Sequence, residues 1–337
     1  MASVDISDVV SSFGNFYRQE GQGMQDIQKG LLVPAETEKR FGLIPTVETQ
    51  KRKVFADITG TVFQKFQKQL SSSGAFVMTP QTIELQDAKY EVKLEDLDDL
   101  EESYLGFLAD DTNDRSQWPF VKWLVREMAI AKGAQDFELN EVYAGNYTSI
   151  TTPGTANAAG LNFVGLKKLL QGFDSASSMN VVAMGTLETD PQAFYEQFNA
   201  WIALCKEGSA LHRRMITSMV DEIHMAPELA ERYADGKDKA LNLNYLRSAD
   251  VDQKAIMEVS VPRTGIKIVG LDSMIGDEGV YMTMKANRAA YIKRPKSAQE
   301  FGINMANPYA PILYLKFWKG IGFWFPQYIW ANENYGS

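Results

Sequence analysis

The chain holds one cysteine, Cys205, and two histidines, His212 and His224, among its 337 residues. One thiol cannot form an intrachain disulfide, and three such side chains are too few for a structural zinc site that uses four Cys or His ligands. The fold must therefore rest on packing and hydrogen bonds. With 45% apolar and 23% charged residues, the chain has the composition of a globular protein, and its length suggests about two domains or one domain with a large insertion.

Charge and hydropathy exclude several classes of protein. The net charge of −9 argues against the basic surface that reads duplex nucleic acid. Residues 1–30 carry Asp5, Asp8 and Glu20 and show no basic stretch followed by an apolar core, so no secretion signal is predicted. The longest apolar uncharged stretch, 320–332, is interrupted by Pro326 and is shorter than the roughly twenty residues of a spanning helix.

Two local patterns stand out in the first third of the chain. Residues 75–94 alternate with period two on either side of 86–89, which predicts a β-hairpin. Residues 95–102 hold six acidic side chains around Leu97 and Leu100. Such a run is typically a solvated face, and the alternatives are a cation site or a docking surface for the basic arm of a neighbour.

A long helix is predicted over 117–143. Asp114 or Ser116 can cap it, and Pro119 suits its first turn. Its apolar face includes Phe120, Trp123, Leu124 and Met128. At 1.5 Å per residue the helix would be about 40 Å long, which makes it a candidate spine.

The rest of the chain reads as a mixed module. The small-residue loop at 148–160 is the predicted domain boundary. Helices are predicted near 164–170 and 190–206, and strands at 180–184, 256–261 and 266–269. Closing strands at 279–292 and 312–330, the latter turning at 319–322, favour an α+β or α/β class.

The sequence offers little chemistry. It contains no Gly-x-Ser-x-Gly elbow and no Walker lysine motif. Asp110, Asp111, Asn113 and Asp114 resemble the start of a calcium loop but lack its glycine and its twelfth-position glutamate, so capping explains them better. No catalytic, cofactor-binding or metal-ligating residue is predicted, no cofactor is expected, and the chain is expected not to be an enzyme.

Aromatic residues crowd the end of the chain. They are Tyr314, Phe317, Trp318, Phe323, Trp324, Phe325, Tyr328 and Trp330. A buried strand pair is the favoured interpretation because large aromatic side chains dominate core burial. The alternatives are a subunit interface or a stacking platform. A platform beside a carboxylate pair such as Glu101 and Asp110 would indicate a carbohydrate-active enzyme.

The order of these elements, with five short motifs, resembles a known family. The motifs are LDDLEESYL at 97–105, EVYAG at 141–145, VGLDSM at 269–274, MTMKAN at 282–287 and FWKGIGFWFP at 317–326. They resemble the major capsid proteins of tailed bacteriophages, which have the Hong Kong 97-type fold, and are locally similar to those of phages of Bacteroidota.

This resemblance implies an α+β fold with five segments. They are an N-arm at 1–46, an extended β-hairpin loop region at 47–94, a peripheral domain with the spine helix at 95–154, an axial domain at 155–277, and return strands of the peripheral domain at 278–337.

The resemblance also implies a function. Copies of the chain would form hexamers and pentamers that close into an icosahedral shell around packaged double-stranded DNA, without sequence-specific binding and without a membrane. A separate scaffolding protein, a portal and decoration proteins are the implied partners. The location would be the virion, assembled in the cytoplasm of a bacterial host. An encapsulin-like compartment that encloses an enzyme cargo is the alternative within this fold.

Some members of the family crosslink a loop lysine to an asparagine of a neighbour. Here the candidates would be Lys89 or Lys93 with Asn304, Asn307 or Asn332, although no local motif marks such a reaction.

Overall fold

Two mixed β-sheets form the frame of the part of the chain that the computed structural model describes. This part comprises residues 35–59, 74–93, 130–150, 158–208, 210–241, 258–262, 264–293, 301–304 and 312–336, with single residues between 60 and 73 and between 151 and 157. The acidic run at 95–102 and most of the predicted arm lie outside the described residues.

The first sheet has five strands built around one long strand, β12 (Ile312–Phe323). On one edge β12 pairs with β4 (Gln86–Lys93). On the other edge it pairs with β10 (Arg288–Lys293) and β11 (Phe301–Asn304), and β1 (Leu43–Thr46) runs parallel to β10. Along β12, Leu313, Leu315, Phe317, Ile321 and Phe323 are buried in the main core, as period-two alternation requires.

The second sheet has six strands in the order β5-β13-β9-β6-β8-β7. The strands are β5 (Asn180–Val181), β6 (Val220–Met225), β7 (Glu258–Ser260), β8 (Lys267–Gly270), β9 (Tyr281–Met284) and β13 (Ile329–Ala331). The β5–β13 and β6–β8 pairs are parallel, and the other pairs are antiparallel. This sheet therefore collects strands from two distant parts of the chain.

Helices cover these sheets. They are α1 (Glu36–Phe41), α2 (Ala131–Asp136), α3 (Leu166–Ser175), α4 (Pro191–Glu207), α5 (Ala210–Ser218) and α6 (Pro227–Ala240). The predicted helix at 190–206 is confirmed as α4. Asp190 caps it by accepting a hydrogen bond from Ala193 N at 3.0 Å, and Pro191 occupies its first turn.

The predicted spine helix is described only from residue 130 onward. There α2 continues directly into a π-helix, Phe137–Val142, so the helix ends where the sequence predicts. Of the predicted arm, residues 35–46 are described, and they are built into the core: Phe41 is buried, and β1 pairs with β10.

The chain crosses between the two sheets twice at one place. Residues 285–287 join β9 to β10, and residues 324–328 join β12 to β13. Asn287, which is fully buried, connects these two crossings. Its Nδ2 donates to Thr283 Oγ1 at 2.8 Å and to Phe325 O at 3.0 Å, while its Oδ1 accepts from Phe325 N at 2.6 Å. One amide thus fixes both connections.

Two predictions about the sheets are wrong. The hairpin predicted over 75–94 does not form, because β3 (Ala75–Glu84) pairs with β2 (Gln50–Thr59) and β4 pairs with β12. The turn predicted at 319–322 is absent as well, since β12 runs straight through it. A Cβ on Gly320 would lie 2.5 Å from Glu84 O, so this glycine permits a close approach of two backbones.

The closing segment 278–337 serves both sheets. β10, β11 and β12 belong to the five-stranded sheet, whereas β9 and β13 complete the six-stranded one. The predicted return strands therefore divide between two layers. Among the described helices, none is both long enough and apolar enough to span a membrane.

Gly320 provides a test of the close approach. In Gly320→Ala the new methyl group would displace the Glu84 carbonyl, and we expect the free energy of unfolding to fall by about 1–3 kcal/mol. Gly172→Ala in α3 is the matched control, because a Cβ there meets nothing within 4 Å. It should leave stability unchanged or raise it by up to about 1 kcal/mol. Urea unfolding of both variants measures the difference, and equal effects would contradict this assignment.

Asn287→Ala tests the connection between the crossings. The substitution leaves Phe325 N and Phe325 O without their side-chain partner, so we expect a loss of about 2–4 kcal/mol in the free energy of unfolding. The control is Gln192→Ala on the exposed face of α4, where Gln192 donates a hydrogen bond to Glu196 at 3.3 Å. It should change stability by less than about 0.5 kcal/mol. Thermal unfolding with unchanged midpoints for both variants would contradict the role of Asn287.

Candidate functional site

The most unusual feature of the described surface is the antiparallel ribbon of β2 and β3. The two strands pair over ten residues each, from Gln50 opposite Glu84 to Thr59 opposite Ala75. At about 3.3 Å per residue the ribbon is about 33 Å long. It forms a sheet of its own with two strands, and an isolated pair of strands is marginally stable in water. The ribbon therefore needs support from other surfaces.

The strand register assigns side chains to the two faces of the ribbon, because residues directly opposite each other share a face. One face, here called the inner face, carries Lys51, Lys53 and Phe55 on β2 with Ile83 on β3. The other, here called the outer face, carries the pairs Val54–Pro80 and Ala56–Met78, with Phe76 further along β3.

The inner face is anchored at its root, where β3 ends. Ile83 and Leu85 form a small buried cluster with Ala289, Tyr291 and Trp324 on the face of the five-stranded sheet opposite the main core. The Phe55 ring lies 5.2 Å from that of Phe325, and Lys53 Nζ lies 4.5 Å from the centre of the Trp324 ring. These contacts fix the direction in which the ribbon leaves the sheet.

Beyond Arg52 and Thr82, the outer face is apolar and exposed. Val54 is 52% exposed, Phe76 60% and Met78 62%. Beyond the strands, Phe63 and Phe66 are almost wholly exposed. The exposed apolar side chains of Val54, Phe76 and Met78 share one face of the ribbon, and such a surface marks a site of association rather than a solvated face. The geometry thus gives a ribbon whose inner face is held by its own chain near the root and whose outer face is open to another molecule.

The residues first considered for chemistry do not form a site. Cys205 is buried in α4, and burial raises the pKa of its thiol to about 12, which leaves no reactive thiolate. His212 packs against Trp330, whereas His224 contacts Phe41 and Tyr281. Within the described ranges, no group of three His, Cys, Asp or Glu side chains could hold a metal ion. Glu101 and Asp110 lie outside those ranges.

The lysines and asparagines predicted as crosslink candidates lie on β4, on β11 and in the core. Lys89 and Lys93 lie on β4, and Lys89 pairs with Glu91 at 2.6 Å. Asn304 lies on β11, opposite Ile312, and Asn307 is outside the described residues. Asn332 is fully buried, with Oδ1 accepting from Val280 N and Nδ2 donating to Glu278 O. Its amide is therefore occupied within its own chain.

The aromatic tail is a structural element of the core. Phe317, Phe323, Trp324 and Trp330 are buried, and the other four rings are half-buried. Burial was predicted correctly, but the strand pair was not. Pro326 begins a single 3₁₀ turn that carries the chain from one sheet to the other, so β12 and β13 do not pair.

The outer face of the ribbon was not predicted from the sequence. β2 contains Gln50, Lys51, Arg52 and Lys53 before its apolar residues, and an exposed ribbon needs no regular alternation of apolar and polar residues. The one available signal was the unbroken apolar run 76–78 followed by Pro80, which is typical of an edge strand.

Several solved structures from phages are similar in fold to this chain. A chain of the satellite phage P4 procapsid, whose structure includes the size determination (Sid) protein, is similar with a TM-score of 0.54 and 12% identity, covering 92% of this chain and 90% of that one. A structure from Mycobacterium phage Che8 gives 0.48 and 12% over 85% of both chains. The capsid of Myoviridae phage XM1 gives 0.44 and 13% over 92% and 91%.

No family model matches the sequence, and no curated protein matches it. The likeness to solved structures is therefore a likeness of fold, and it extends over nearly the whole chain. The chain has a mixed α+β fold of the Hong Kong 97 type, the fold of phage major capsid proteins.

Proposed function

We propose that the protein is the major capsid protein of a tailed bacteriophage, a non-catalytic building block of an icosahedral shell. The observation that carries this proposal is the ribbon: its inner face is anchored to its own chain, and its outer face exposes Val54, Phe76 and Met78. In the shell this outer face is covered by a second copy of the chain. The fold shared with a procapsid chain supports the same role.

Several features of the described structure fit a shell subunit. The long ribbon reaches well beyond the buried cluster at its root, as a contact between copies requires. Obligate interfaces between subunits are large and apolar, and the outer face supplies such a surface. Hexamers and pentamers would arise from repeating this contact around closed rings.

The further partners follow from the proposed role. The shell encloses double-stranded DNA without sequence-specific contacts, which agrees with a net charge of −9. A separate scaffolding protein guides assembly in the cytoplasm of a bacterial host, a portal occupies one vertex, and decoration proteins are further candidate partners of the finished virion. The motifs quoted above extend the proposal to a phage of Bacteroidota. The domain boundaries inferred from the resemblance are part of the same proposal.

Purification of the assembled protein separates this proposal from the encapsulin-like alternative. The chain is expressed alone and with a candidate scaffolding protein, and the products are measured by light scattering and negative-stain microscopy. Closed shells, hexamers or pentamers support the capsid role. A DNA-free particle that copurifies with an enzyme would favour the compartment, and a monomer under both conditions would overturn both.

A charge on the outer face of the ribbon should block assembly. In Met78→Asp the carboxylate would have to be buried against the second copy, and we expect the protein concentration needed for assembly to rise at least about tenfold. The fold of the single subunit should persist, because Met78 is 62% exposed.

The matched control is Thr79→Asp, one residue along β3 and on the inner face, opposite Phe55. It introduces the same charge at an exposed position on the same strand, and assembly should stay close to that of the unaltered chain. Light scattering across a concentration series measures both variants. Equal inhibition by the two substitutions would contradict the assignment of the outer face.

A further inference from the structure

A partly buried group of charged and titratable side chains joins the two sheets. It consists of Asp221, Glu222 and His224 on β6 of the six-stranded sheet, Arg288 on β10 of the five-stranded sheet, and Arg40 on α1. The guanidinium of Arg288 is 1% exposed and donates hydrogen bonds to both Asp221 and Glu222. Arg40 Nη1 lies 2.9 Å from Glu222 Oε1. Three elements thus converge on one carboxylate.

His224 lies at the centre of this group. Its side chain is 1% exposed, and its Nε2 lies 3.1 Å from Glu222 Oε2 and 3.3 Å from Arg288 Nη1. Its Nδ1 has no hydrogen-bond partner among the described residues. A neutral imidazole with the proton on Nε2 donates to Glu222 and leaves only an acceptor unpartnered. Protonation would place a second donor, Nδ1–H, in a buried position without an acceptor.

The groups around His224 disfavour its positive charge from several directions. Arg40 on α1 and Arg288 on β10 are both cations, and Tyr281 on β9 presents a ring at 5.0 Å. On β8, Val269 lies opposite His224, and Lys267 lies opposite Glu222. Glu222 and Asp221 are the nearby carboxylates, and Arg288 already bonds to both. The closed cluster therefore favours the neutral form of the His224 imidazole.

We propose that this cluster is an acid-labile clasp between the two sheets. In the closed state Arg288 and α1 are held to β6 through Glu222, and His224 is neutral. Opening exposes the ring to water, where Nδ1 takes up one proton from solvent. Proton uptake accompanies opening, so acidification loosens the contact between the two sheets within each subunit. This is a property of the single chain, and it stands whether or not shells form.

The sign of the pH dependence follows from these contacts. Burial lowers the pKa of His224, the hydrogen bond with Glu222 opposes this, and the charge of Arg288 lowers it further. The stability of the closed state is therefore complete above the usual imidazole pKa of about 6.5 and is lost as the pH falls below it. Burial would raise the pKa of Glu222, but hydrogen bonds from His224 and Arg288 hold it well below its usual range. The Glu222 carboxylate is therefore protonated only at a lower pH than the one at which His224 takes up its proton.

Hydrogen exchange of the full-length subunit between pH 6.5 and 5.5 tests the clasp. The readout is the exchange of the α1 amides, corrected for the intrinsic chemical rate, which reports the ratio of open to closed molecules. We expect this ratio to rise by several-fold and by at most tenfold per pH unit, as one proton per opening requires. A ratio that does not change with pH overturns the proposal.

The chain contains two histidines, which allows a matched pair of variants. His224→Gln keeps an amide donor for Glu222 but cannot titrate, so the pH dependence should disappear. His212→Gln on α5 should keep it. If both variants retain the dependence, the clasp is excluded.

A second measurement covers the case in which His224→Gln does not fold. Ring-labelled histidine in the unaltered chain gives one NMR signal for each imidazole, and His212→Gln assigns them. The His224 signal should remain that of a neutral ring for as long as the α1 amides stay protected. A His224 ring that titrates while these amides remain protected would overturn the proposal.

Discussion

The architecture depends on the two adjacent crossings between the sheets, and the buried amide of Asn287 holds these crossings together. Both sheets receive strands from the closing part of the chain, so the chain has to cross between them at 285–287 and again at 324–328. Asn287 bonds across these crossings through Thr283 Oγ1 and through both backbone groups of Phe325. Since a buried polar backbone group without a partner is costly, the two crossings keep one arrangement. The main core lies beside this junction. The five-stranded sheet contributes Phe323 to it, and the six-stranded sheet contributes Trp330.

Helix α1 lies beside that junction, where Phe41 packs into the main core and several buried polar contacts hold the rest of the helix. Glu38 pairs with Lys319 of β12 at 2.9 Å, and both side chains are buried. Thr37 donates to Glu138 at the end of the spine, where burial raises the pKa of Glu138 and these hydrogen bonds oppose the shift. A buried ion pair adds little stability compared with an apolar pair, yet removing one partner leaves an uncompensated charge. We infer that these contacts specify where α1 sits more than they stabilise the fold.

The features that could be predicted from the sequence are those that depend on residues close together in the chain. Helix α4 carries its own signals in Asp190, Pro191 and the spacing of Phe194, Phe198 and Trp201. Burial of the aromatic tail followed from side-chain size, and the order of elements pointed to the fold. Partner choice is not local: Gly320 looked like a turn because Glu84, which approaches it, lies far away in the sequence. The same reason hides the cluster of Arg40, Glu222, His224 and Arg288. The ribbon's outer face could not be predicted because its apolar residues serve no core within the chain.

In the proposed shell, the ribbon would also set how accurately one subunit positions the next. Its root is fixed by Ile83 and Leu85 in a small buried cluster, whereas its far end lies about 33 Å away. The arrangement is a lever: a tilt of about 10° at the root moves the far end by roughly 6 Å over that length. Small differences in how Trp324 and Tyr291 pack around the root would therefore become larger displacements at the far end of the ribbon. In the proposed shell, hexamers and pentamers would demand different angles from identical chains, and this amplification would let a minor side-chain adjustment produce the change in curvature.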